Sequence, residues 1–137
     1  MTSSFEFDPI NQVVCWRLAG DITEALFAES LALVKNILSD TQPKKGVIDL
    51  SAVTSFQVSA ETIKRLAFSE PIFASELPRV VVAPSDHLYG LARMFASLTE
   101  HLRTEVHVVR TLDEAYELLG IRSPEFRPLG IKRETGT

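Results

Sequence analysis

Long apolar runs are missing from this chain. No stretch approaches the roughly 20 residues that span a bilayer, so no transmembrane helix is expected. Cysteine is nearly missing too: Cys15 stands alone. It cannot close an internal disulfide, and nothing points to an oxidising compartment. The start, Met1-Thr2-Ser3-Ser4-Phe5-Glu6, lacks the basic stretch and apolar run of a signal peptide. By elimination a cytoplasmic location is expected. Dense basic runs are also lacking, and the formal net charge is −4. The pairs Lys44-Lys45 and Lys132-Arg133 read as solvated loop and tail charges. Proteins that neutralise many phosphates carry a basic face, so nucleic acid is not an expected partner.

Catalytic signatures are equally scarce. No G-x-S-x-G elbow, G-x-G-x-x-G loop or P-loop occurs. His87, His101 and His107 are scattered over a helix start, a helix end and a strand, whereas zinc needs three or four convergent ligands. No metal and no cofactor are expected. Cys15 beside Trp16 on a strand reads as a buried thiol rather than a nucleophile.

What is present is the composition of a globular domain. Apolar residues make up 45% and charged residues 23% of 137, too apolar for disorder. Phe5-Glu6-Phe7 alternates and ends at Asp8-Pro9, and Val13–Leu18 is strand-like up to Ala19-Gly20. The short link 9–12 suggests an antiparallel hairpin. Asp21-Ile22-Thr23 opens a helix, with Thr23 as N-cap and Glu24 at its positive end. Phe27, Leu31, Val34 and Leu38 recur at helical spacing, beside Leu26, Ser30, Leu33 and Ile37. Pro43 stops that helix.

Gly46-Val47-Ile48-Asp49-Leu50 reads as a strand buried on both faces, as in parallel sheets. Residues 51–58 read as a loop, and Ser59 caps a helix to about Phe68 with Ile63, Leu66 and Ala67 inward. A further strand, Val80–Ala83, precedes a helix that starts at Pro84-Ser85-Asp86-His87, with Leu88, Leu91, Ala92, Phe95 and Leu102 as its stripe. Val106–Val109 is the last strand. Thr111 and Glu114 form a capping box for a helix packed by Ala115, Leu118 and Leu119 and stopped by Gly120. The expected fold is α/β: one domain over 1–122 with a mostly parallel, mixed sheet of about five strands and four helices, then a loosely ordered tail over 123–137.

Three features resemble the STAS superfamily (sulphate transporter and anti-sigma factor antagonist). Leu18-Ala19-Gly20-Asp21-Ile22-Thr23 matches its strand-to-helix turn, Val47-Ile48-Asp49-Leu50-Ser51-Ala52-Val53 resembles its central-strand signature, and the element order agrees. The resemblance covers Val13–Gly120. It implies a regulatory partner such as a kinase-like anti-sigma factor, and in regulated members a D-S-S-G segment whose first serine is phosphorylated. Here that segment aligns with Gln57-Val58-Ser59-Ala60, so a valine stands at the acceptor position. A switch that adds about −1.5 to −2 charges cannot run through Val58. Ser59 is either a helix cap or an alternative acceptor, and serine's preference for N-caps favours the former. Tyr89–Phe95 and Thr111–Leu119 are similar to uncharacterised bacterial STAS-like proteins that lack the acceptor.

In a parallel sheet the loops after successive strands gather at one edge. The candidate partner-binding residues are Asp21, Thr23, Ser51, Thr54, Ser55, Phe56, Gln57, Val58, Ser59, Ser85 and Asp86. Helix N-termini there favour an anion or an acidic partner. Asp49 either serves catalysis at that edge or bonds the adjacent loop. Arg93 reads as a solvated charge, and Phe126, Leu129 and Ile131 as a docking strip or a cover for their own domain. Three functions follow from these readings. The first is a non-catalytic protein-interaction module. The second is a sensor of a small anionic or lipid-like ligand, and the third an enzyme, which the missing motifs disfavour. The edge strand Phe5–Asp8 offers a homodimer contact.

Overall fold

The computed structural model describes residues 2–68, 77–100 and 105–129. Leu102, His101 and Ile131 lie outside them. Along the chain run β1 (Thr2–Asp8), β2 (Val13–Ile22), α1 (Glu24–Thr41), β3 (Lys45–Phe56), α2 (Ala60–Phe68), β4 (Arg79–Val82), α3 (Asp86–Thr99), β5 (Val106–Val109), α4 (Leu112–Leu119) and β6 (Arg127–Pro128). The sheet order is β5-β4-β3-β2-β1-β6. β2 through β5 pair in parallel, while β1 is antiparallel to both β2 and β6.

Side-chain alternation assigns the two faces. Phe5, Val14, Trp16, Leu18 and Val81 join Phe27, Val34 and Ile37 of α1, Ile63 of α2, and Leu88 and Ala92 of α3 in one core. Val13, Cys15, Val47, Val80 and Val82 face the other way, onto Ala115 and Leu119 of α4 and Ile121. An aromatic row crosses the first core. Trp16 stacks on Phe5 and on Phe27 at 5.9 Å each, and Phe27 meets Phe56 edge to face at 5.8 Å. Leu118, expected to pack inward, is instead 45% exposed on α4.

The expected strand ends are too short. β2 does not stop at Ala19-Gly20 but continues to Ile22, because Gly20 takes φ 81° and lets a register shift pass. That extension gives β3 a partner beyond Leu50. Ala52, Val53, Ser55 and Phe56 pair with Ala19, Gly20, Asp21 and Ile22. Hence 51–56, expected as loop, is strand, and only residues 57–59 connect it to α2.

The expected loose tail is fastened to the sheet over its first part. Arg127 and Pro128 pair with Phe7 and Glu6, and the Leu129 amide donates to the Phe5 carbonyl at 2.9 Å. Phe126 lies 6.2 Å from the Tyr116 ring, and Leu129 packs on the first core, so both cover their own domain. β6 therefore occupies part of the β1 edge that was expected to be free for a second copy.

Asp8 organises this corner. Its carboxylate, 0% exposed, accepts from the amides of Ile10 (2.9 Å), Asn11 (3.2 Å) and Glu125 (3.2 Å) and from Asn11 Nδ2 (2.7 Å). Burial pushes its pKa up, but the bonds from Asn11, Glu125 and Ile10 outweigh it and hold the carboxyl below its ordinary range. A lowered folded pKa means the stabilisation is present above the unfolded value of about 3.9 and fades as pH falls through the folded one. Asp8→Asn is expected to be less stable than wild type at neutral pH. The gap should narrow once pH falls below about 3.9, as urea midpoints at pH 7 and pH 3 would show.

Candidate functional site

All four helix starts point to the edge where the parallel strands end. Local chemistry explains the caps. The hydroxyls of Thr23, Ser85 and Thr111 accept from the amides three residues on, Leu26, Leu88 and Glu114, at 3.2 Å each. Ser59 does the same for Thr62 at 3.1 Å. Glu114 reaches back to the Thr111 hydroxyl, at 3.1 Å.

Two acidic residues tie the first two connections together. Asp21, on the β2 extension, accepts from the hydroxyls of Thr54 (2.9 Å) and Ser55 (2.8 Å). Glu24, in the first turn of α1, accepts from the Ser59 amide at 3.0 Å and from the Thr62 hydroxyl at 2.9 Å. The Gln57 amide closes the seam by donating to the Ile22 carbonyl at 2.8 Å. Hydrogen bonds from Ser55 and Thr54 lower the pKa of Asp21; those from Ser59 and Thr62 lower that of Glu24. Sequence reasoning placed Glu24 only at its own helix end. Its partners lie 35 and 38 residues away, and no local signal marks them.

Within that segment the side chains part. Gln57 and Ser59 are exposed, but Val58 is 3% exposed and sits in the first core with Ile22, Phe27 and Ile63. Val58 is thus not a surface contact, because the turn into α2 aims it under the helix. Phe56 is half-buried against Phe27, so it too serves packing. Ser51 is drawn elsewhere. Its amide (2.9 Å) and hydroxyl (2.5 Å) both donate to Asp49. Ser85 and Asp86 stand at the start of α3. Asp86 pairs with Arg110 at 2.9 Å, and that guanidinium lies 4.1 Å from the Tyr89 ring. Arg93, read as a solvated charge, is exposed. The candidate residues brought together are therefore Asp21, Thr23, Thr54, Ser55 and Ser59, with Gln57 beside them.

Asp49 belongs to the opposite face. It is buried in β3 and accepts from the Arg17 guanidinium, which also donates to Glu6 and faces Phe126 at 5.9 Å. Burial works against the Arg17 charge, but the Glu6 hydrogen bond and the Glu6 and Asp49 charges outweigh it and keep it protonated. Asp49 is saturated by Arg17 and Ser51, the arrangement of a structural carboxylate that bonds its own neighbourhood. Cys15 lies beneath; burial pushes its thiol up to about 12, so it is not a thiolate at neutral pH. Among the described residues, no three His, Cys, Asp or Glu side chains gather as metal ligands, and no helix is long and apolar enough to cross a membrane.

The order of elements, with three helices on one face of a mixed sheet and one on the other, defines a SpoIIAA-like (STAS) fold. The chain is similar to the crystal structure of an uncharacterized protein of the DUF3478 family, with a SpoIIAA-like fold, from Shewanella loihica PV-4. The match has a TM-score of 0.57 at 11% identity and covers 86% of this chain and 92% of that one. No family model matches the sequence, and no curated protein does.

Proposed function

We propose that this chain is a STAS-like protein-interaction module that acts without catalysis and without a phosphate at position 58. Its recognition surface is the edge formed by Thr54, Gln57, Ser59 and the first turn of α2. The observation that carries this reading is the seam of Asp21 and Glu24. It holds an exposed polar strip in one conformation on a rigid scaffold, which lowers the ordering cost of binding a protein. A regulator such as a kinase-like anti-sigma factor is the partner the STAS resemblance implies. The buried valine removes the usual acceptor, so affinity would be set by shape rather than by added charge. An anionic ligand fits this edge poorly, because Glu24 already takes the Ser59 amide. A lipid-like ligand gains nothing from the apolar cleft under α1, lined by Phe5, Val14, Trp16, Val34, Ile37 and Leu38. Its cavity of about 10 Å³ has room for about one water.

The test is affinity capture from the cells that make the protein, with variants confined to exposed positions. Gln57→Arg and Ala60→Arg change the strip and leave the core alone, whereas Phe56→Asp would also strip Phe27 of its neighbour. A specific protein should be retained by wild type and by a surface control such as Lys35→Ala, and lost, by about tenfold or more, from both arginine variants. Retention by all four forms, or no retained protein, would count against the reading.

A further inference from the structure

We propose that Glu24 is an intrachain latch, a carboxylate from α1 that occupies the N-terminus of α2 and holds both connections of the recognition edge as one unit. The inference takes its functional meaning from the interaction reading above, and its geometry stands apart from it.

A cap that serves only its own helix is local in sequence. Glu24 is not used in that way alone. Thr23 already caps α1 through the Leu26 amide, while the Glu24 carboxylate crosses to α2. There it takes the Ser59 amide and the Thr62 hydroxyl; Thr62 lies 3.1 Å from the Ser59 hydroxyl and receives Arg65 Nη2 at 3.2 Å. Three residues earlier, Asp21 fastens the other end of the same segment through Thr54 and Ser55. The 54–62 stretch is thus pinned at both ends by carboxylates from a single connection, residues 21–24. An outside anion reaching the start of α2 has to displace a tethered one. A phosphoryl group on Ser59 would place a second negative charge beside Glu24 and would open the latch rather than tighten it.

Backbone amide exchange followed by NMR tests this without any partner. In Glu24→Ala the Ser59 amide is expected to exchange about tenfold faster than in wild type, with the Leu88 amide at the α3 cap unchanged. Inorganic phosphate at constant ionic strength should shift the Ser59 and Thr62 amide resonances of Glu24→Ala and leave those of wild type in place. Glu24→Gln keeps the side-chain length and one acceptor oxygen, and should fall between the two; it carries the test should the alanine variant not fold. Equal exchange at Ser59 in wild type and the variants, or an equal phosphate response, would overturn the latch. Because no partner is involved, the latch can fail while affinity capture succeeds, and the reverse.

Discussion

Val58→Ser is expected to lower stability by about 2–3 kcal/mol and to create no working phosphate acceptor. On the STAS resemblance alone the substitution looks like a repair, since it puts a serine at the place where that resemblance sets the phosphate acceptor. The packing argues otherwise. The Val58 side chain is 3% exposed and shares a core with Leu18, Ile22, Phe27, Ile63 and Leu88. Serine would leave a small void there and bring in a hydroxyl that must find a partner among hydrocarbon. A kinase would have to unwind the start of α2, against the Glu24 tie, to reach it. Urea denaturation and mass spectrometry after kinase treatment check both halves. A loss below about 0.5 kcal/mol would mean that the side chain at 58 faces solvent.

Arg17→Met is expected to cost about 2–3 kcal/mol, less than the roughly 3–5 kcal/mol for breaking a fully buried pair, because the Arg17 side chain is 32% exposed. Methionine fills much of the same volume but leaves Asp49, whose side chain is 4% exposed, with only the donors of Ser51. It also removes the cation that faces Phe126, which immediately precedes β6. The double variant Arg17→Met with Asp49→Asn should recover part of the loss, since the more deeply buried of the two carboxylates that lose Arg17 is neutralised while Glu6, 22% exposed, keeps its charge near water. Urea midpoints for the two single variants and the double give the coupling directly. If the double is no more stable than Arg17→Met, the cost lies in packing and not in the orphaned carboxylate.

These two sites show how unevenly the molecule could be read in advance. Thr23, Ser59 and Thr111 were legible as caps because a cap joins residues three apart, and the pattern is complete within one turn of chain. The buried strands were legible because runs such as Val80-Val81-Val82 leave no polar face. By contrast, the strand character of 51–56 depends on β2 continuing past Gly20, and nothing within 51–56 announces it. Glu24 and Ser59 are 35 residues apart, Arg17 and Asp49 are 32, and Asp8 and Glu125 are 117. Such pairs leave no mark at short range.

Composition and periodicity were enough to specify an α/β domain with four helices and a parallel sheet centre. Those features rest on interactions that close within a few residues, or on burial patterns repeated along one element. The tertiary structure alone decided that Val58 points into the core, that Glu24 serves a second helix, and that residues 127–129 complete the sheet at β1. Each of these depends on distant segments meeting with a particular orientation, and orientation is set by packing the whole sheet against its helices rather than by any single stretch of chain.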